Sequence, residues 1–353
     1  MPWIYFVIFI AVFWSITNVL YRVIWSRNQN ISIKYGVLLV IKKPLKITTS
    51  HRLVKLGKVF IALYFAILAL SLYIVVGSIL TRLTSGVRNI MVLIPGINIS
   101  GYDLLFFIVA VAIALIIHEA MHAKLASGYG AGVKAFGFAL FLFLPIAFIE
   151  VDESAFKNAK TSVKIGILSA GVTANFALAL AFMMLLAVLS SGQGFMITDV
   201  ERDSLAEGIG LKRYDIIYSV NDMPLSNILV LHDLMSKNST FEVVLYVWRP
   251  GEGYMRISFI KQPWQSKLGV RVLPAPSQHL FSVINQWTWV MIYNLFYWIY
   301  LVNLSVAVIN ALPLYITDGG KIMYEVLGKK MGDIVNIVCL SLFISMILIS
   351  STF

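Results

Sequence analysis

Charge is what this chain has least of. Of its 353 residues only 13% are Asp, Glu, Lys or Arg, about half the roughly 25% of an average soluble domain. So little polarity cannot wrap a soluble core, which excludes an ordinary cytosolic globule. Cysteine is scarcer still: Cys339 is the single thiol and lies in an apolar run, so a disulfide scaffold is excluded. Acidic residues are also short, 17 against 28 Lys plus Arg, for a net charge of +11. What is abundant is apolar surface, with 59% hydrophobic residues, 13% aromatic residues and a mean hydropathy of +0.85. The aromatic content excludes disorder. A polytopic α-helical membrane protein remains.

Six segments reach the roughly 20 apolar residues that a span requires: 2–25, 58–80, 103–125, 161–190, 284–311 and 333–352. The first lacks a basic start and a small-residue cleavage site, so it reads as a retained span rather than a signal peptide. After it come Arg22, Arg27, Lys34, Lys42, Lys43, Lys46, Arg52, Lys55 and Lys58, with no Asp or Glu among them. Basic loops stay in the cytosol, which places the N-terminus outside, residues 126–160 and 312–332 inside, and 81–102 and 191–283 outside. The excess positive charge is then an orientation signal that also meets anionic lipid heads. No base-reading motif accompanies it, so nucleic acid is not an expected partner.

Residues 191–273 break the apolar pattern and are long enough for one small soluble α+β domain. "FEVVLYVWR" and "GYMRISFIKQ" read as strands joined by a Pro-Gly turn. The stretch "VERDSLAEGIGLKRYDIIYSVNDMPL" resembles a PDZ domain, with Gly208, Gly210, Asp215 and Asn221 carrying the match and Leu205 standing where a Pro is usual. That resemblance implies a module that pairs with a peptide strand or captures a carboxylate, with the backbone of Gly192–Phe195 as its anion loop.

His118-Glu119-Ala120-Met121-His122 is an HExxH motif. Residues four apart on a helix share a face, so both imidazoles reach one ion, and Glu119 is placed as general base toward a water activated there. Random placement of five His and eight Glu gives roughly 0.002 such motifs. Ionisable groups inside a span are costly and mark function. His51, His232 and His279 have no ligand spacing.

Two imidazoles leave a tetrahedral zinc one protein ligand short. Glu150, Asp152, Glu153 and Asp318 are the available carboxylates. Asp318 is preferred because Asn310, Pro313, Gly319 and Gly320 interrupt the helix, and irregular backbone at membrane depth lines a cavity or is buried in protein. The competing reading of Asp318 is a helix N-cap.

The combination resembles the site-2 protease family of intramembrane zinc metalloproteases. It has HExxH at His118–His122, Gly-x-x-x-Asn at Gly171 and Asn175, and Asn-x-x-Pro-x-x-x-x-Asp-Gly at Asn310, Pro313, Asp318 and Gly319, in the family's order around the PDZ-like insert. The resemblance covers roughly residues 103–330. It implies Zn2+ held by His118, His122 and Asp318, Glu119 as catalytic base and proton donor, and Asn310 and Asn175 toward substrate or oxyanion. It also implies regulated intramembrane proteolysis of a transmembrane substrate that has already been cut once.

The expected organisation is 1–102 (two spans and the basic loop), 103–190 (first part of the metalloprotease core), 191–273 (PDZ-like domain outside the cytosol), 274–332 (second part of the core) and 333–353 (last span). The protein is expected in the plasma membrane of a prokaryote or an endomembrane of a eukaryote, with the active site near the cytosolic side. Residues 132–149, rich in Phe and Gly, offer an edge for strand addition or a re-entrant packing element, and "FGFALFLF" shows no alternation that separates strand from helix. Rival readings are another HExxH membrane metallopeptidase, which lacks the Asp-Gly motif, and a non-catalytic scaffold, which has no need of Glu119. A transporter predicts inverted repeats, and the sequence has none.

Overall fold

The computed structural model describes residues 2–44, 51–141 and 144–352. Lys46 of the basic loop and positions 142–143 of the Phe-rich segment lie outside them. The chain opens with α1 (Pro2–Leu20), which runs into a π-helical turn (Tyr21–Trp25), then β1 (Ile31–Lys34), β2 (Leu38–Pro44), α2 (His51–Lys55) and α3 (Gly57–Ser85). β3 (Ile90–Met91), α4 (Gly101–Gly128), β4 (Val133–Phe141), β5 (Leu144–Val151), α5 (Glu153–Asn158) and α6 (Thr161–Leu189) follow. The insert holds β6 (Phe195–Val200), α7 (Leu205–Gly208), β7 (Ile216–Val220), β8 (Met223–Pro224), α8 (Ile228–Ser236), β9 (Phe241–Arg249), β10 (Gly253–Lys261) and β11 (Val270–Pro274). α9 (Gln278–Val283), α10 (Gln286–Ala311), α11 (Asp318–Ser350) and β12 (Ser351–Thr352) complete the chain.

Six of these helices are long and apolar enough to cross a membrane: α1 with its π-turn, α3, α4, α6, α10 and α11. Hydropathy places the last span at 333, yet α11 already begins at Asp318. Its first turns are polar and Gly-rich, so they carry no span signal. Gly328, at φ 74° and ψ 174°, divides them from the apolar part, a conformation that glycine adopts without a Cβ penalty.

The chain separates into two compact units, residues 1–182 with 298–353, and residues 183–297. In the first unit, β1, β2, β4 and β5 form one antiparallel sheet in that order. Part of the basic loop is therefore a strand: β2 pairs with β4 from Leu38↔Phe141 to Pro44↔Ala135. The described residues of the Phe-rich segment form the antiparallel pair β4 and β5, and β5 is an edge strand packed along α4. A buried cluster of Tyr64, Ile67, Leu168, Val172, Ala311 and Ile322 ties α3, α6, α10 and α11 together.

The second unit is built on a sheet of order β10-β9-β7-β6-β11, with β8 on β7. β9 and β10 are the two strands that alternation picks out. Ile197, Ile217, Val243, Leu245 and Val247 form its core, closed by Leu231 and Met235 of α8.

Candidate metal centre

α4 carries His118 and His122 one turn apart, and both are buried in the first unit. Their Nε2 atoms are 3.0 Å apart. Asp318 Oδ2 stands 3.0 Å from His118 Nε2 and 3.0 Å from His122 Nε2. The structure thus joins three residues, 196 and 200 positions apart in sequence, into one triangle of ligand atoms.

The donor chemistry fits a metal ion. His122 Nδ1 lies 2.7 Å from the Ile167 carbonyl. A carbonyl only accepts, so Nδ1 carries the proton and Nε2 presents a lone pair to the centre. A zinc with bonds of about 2.0–2.1 Å keeps tetrahedral ligands about 3.3 Å apart, close to the spacing here. α6 approaches so tightly that a Cβ on Gly171 would lie 2.5 Å from His122 Nε2 and 2.8 Å from His118 Cε1. A larger residue at 171 fits only if the imidazoles or α6 shift.

Glu119 is not part of the triangle. Its Oε2 accepts the Ile149 N–H of β5 at 3.0 Å. Asn175, one turn beyond Gly171 on α6, is fully buried, and neither atom of its amide has a partner among the described residues. Asn310 is half-buried and donates to Val306 of its own helix at 3.1 Å. Neither Asn hydrogen-bonds the triangle.

Two of the other candidate carboxylates, Glu150 and Asp152, are engaged elsewhere. Glu150 pairs with Lys42 at 2.8 Å on an exposed face, and the hydrogen bond from Lys42 lowers its pKa. Asp152 N-caps α5, accepting from Ser154 and Ala155 N–H. The side-chain hydrogen bond from Ser154 leads the effects that pull its pKa to about 2. Glu153 opens α5.

The sequence model of peptidase family M50 matches residues 106–350. The chain belongs to peptidase family M50. The resemblance to the site-2 protease family therefore holds, and the protein is a multi-pass membrane metallopeptidase of that family. It is also similar to a protein of Methanocaldococcus jannaschii named "Uncharacterized protein MJ0971", 26% identical over 319 residues, which span 85% of this chain and 81% of the relative.

Sequence reading misses several groups of this M50 site. Lys321 Nζ lies 3.3 Å from Asp318 Oδ1, one helical turn on; an i, i+3 pair is a signal that could have found it. Thr317 N-caps α11, its Oγ1 accepting the Gly320 N–H at 3.2 Å. A Thr before Asp-Gly-Gly at a helix start is a readable capping signal. It removes the N-cap reading of Asp318. The Ile149 N–H and the Ile167 carbonyl carry no side-chain signature, so only the fold reveals them.

In the second unit a groove of about 390 Å³ runs between α8 and the segment Ser266–Val270. Ile228, Leu231 and Met235 give it an apolar floor, and His232 and Lys267 stand along it. Gly192–Phe195, expected as an anion loop, does not border this groove; it lines a different cavity with Tyr218 and Pro224.

Proposed function

We propose that this protein is a zinc endopeptidase that cuts peptide bonds within transmembrane segments of membrane proteins, in regulated intramembrane proteolysis. The observation that carries this reading is the buried His118–His122–Asp318 triangle within a bundle of apolar helices. When bound, the ion polarises the scissile carbonyl and lowers the pKa of the attacking water. Glu119 accepts the water's proton and passes it to the leaving amine. The unpartnered amide of Asn175 is available to the substrate backbone or the oxyanion, and Asn310 is the weaker candidate because one of its two N–H donors is already given to Val306.

A substrate helix must unwind before its peptide bonds are reachable, and free backbone groups are expensive in lipid. β5 offers the remedy as an edge strand that accepts the substrate as an added strand. The Ile149 N–H points to Glu119, so the unpaired side of β5 faces the general base. Backbone direction alternates along a strand, which puts the Ala147 N–H and carbonyl on that same side.

The active site is proposed to face the cytosol, consistent with the basic residues of the first loop, and the substrate to arrive pre-cleaved. The insert is proposed as a PDZ-like module whose groove beside α8 takes a peptide or its carboxylate. The test is a cleavage assay on a single-span peptide with purified protein of known zinc content. Glu119→Gln should lower cleavage by about 10²–10⁴-fold while zinc stays bound. Retained proteolysis in that variant sinks the mechanism.

A further inference from the structure

We infer that Thr317 is a positioning residue of the metal centre: its hydroxyl caps α11 and pins the Leu312–Leu314 turn, leaving the Asp318 carboxylate free to face His118 and His122. This rests on the zinc reading of the site.

The geometry is local and closed. Thr317 is 4% exposed. Its Oγ1 accepts from Gly320 N–H and Leu314 N–H, both at 3.2 Å. It donates toward the Leu312 carbonyl at 2.7 Å and the Leu314 carbonyl at 2.9 Å. A hydroxyl has one hydrogen and two acceptor positions, so its capacity is filled. The partners come from both sides of the break that Pro313 makes, where the helical ladder stops.

Asp318 is the first residue of α11. The first-turn N–H groups of a helix lack internal partners and attract a nearby carboxylate. Without the Thr317 hydroxyl, the Asp318 carboxylate is the adjacent acceptor for them. Asp318 instead spends Oδ2 on the two imidazoles and Oδ1 on Lys321. Among the described residues it takes no N–H from α11. The N-cap role and the ligand role, which compete for one side chain in the sequence, fall on neighbouring residues in the fold.

The test titrates zinc into metal-free, detergent-purified full-length protein against a chelator of known affinity. Thermal unfolding of the metal-free protein is followed in parallel. Wild type should bind one zinc per chain. Thr317→Val should weaken binding roughly tenfold or more, the scale of an outer-shell partner, and Thr317→Ser should bind like wild type. A merely structural hydroxyl would lower the unfolding temperature of the valine variant and leave its zinc affinity unchanged, which overturns the proposal. If the valine variant does not fold, Thr317→Gly replaces it, because glycine is nearly as good an N-cap and also lacks the hydroxyl; wild-type zinc affinity there overturns the proposal equally. Loss of zinc in Thr317→Ser overturns it independently, since the hydroxyl is retained. Wild type that binds no zinc overturns the metal reading beneath it, an outcome distinct from zinc that binds regardless of residue 317.

Discussion

Asp215 in the insert and Asp318 in the membrane unit are both buried carboxylates, 0% and 5% exposed, and their surroundings differ in kind. Asp215 meets the Arg249 guanidinium fork at 2.8 and 2.7 Å and the Lys212 N–H at 2.8 Å. Arg249 also donates to the Gly210 carbonyl, and its hydrogen bonds to the Asp215 carboxylate raise its pKa. Charges there are matched and every oxygen is engaged, as a buried ion pair requires. Asp318 shares one oxygen between two imidazoles, and His118 Nδ1 has no partner among the described residues. The closed network holds a fold together. The open one leaves a buried ring nitrogen to spare and fits an added ion, which is why the proposed chemistry is placed at Asp318 and not at Asp215.

Exchanging the two losses tests the comparison. Asp215→Ala should have the largest effect, about 3–5 kcal/mol of insert stability, because it strands a buried Arg249. Hydrogen exchange on β7 and β9 should report it while zinc affinity stays at the wild-type value. A change in zinc affinity instead would mean that the two networks are not independent. Asp318→Asn should do the reverse. Losing a ligand outweighs losing an outer-shell partner, so zinc affinity should fall at least about 100-fold with exchange in the insert unchanged. Unaltered zinc stoichiometry would move the third ligand elsewhere. Gly171→Ala comes next: the added methyl overlaps both imidazoles, and overpacking of this kind costs about 1–3 kcal/mol. Its prediction is weaker zinc binding as well as a lower unfolding temperature. A variant that loses stability alone would show that α6 yields instead of the histidines.

Much of the metal site is legible in the sequence because its parts are short-range. HExxH depends on one helical turn, and Asp318 stands beside an obvious helix break. Local spacing does not settle which carboxylate closes the site: the fold brings Asp318 to the imidazoles and turns Glu150 to an exposed pair with Lys42, 108 positions away. The sheet was hidden for a related reason. "FGFALFLF" is apolar on both faces, so it lacks the alternation that marks a half-buried strand. Its partner β2 lies in a loop whose lysines read as topology alone. In the insert, alternation along β9 was visible because one face meets the core and the other does not. The groove beside α8 has no local signature, because the segment that borders α8, Ser266–Val270, lies past β10.

The smallest predicted effect concerns a span with no motif. Tyr64 of α3 is fully buried and donates its hydroxyl to the Ala311 carbonyl at 3.1 Å. That carbonyl sits at the last residue of α10, where Pro313 ends the ladder and no helical N–H follows to claim it. Tyr64→Phe removes the donor without changing the ring. Hydrogen bonds between membrane helices are worth about 0.6–1.7 kcal/mol, so the unfolding temperature should fall modestly. Because Ala311 begins the turn that delivers Asp318, zinc affinity should fall too, by less than in Gly171→Ala. An unchanged unfolding temperature would mean that water replaces the Tyr64 hydroxyl. The open network would then owe nothing to α3, and its geometry would rest on α4, α6 and α11 alone.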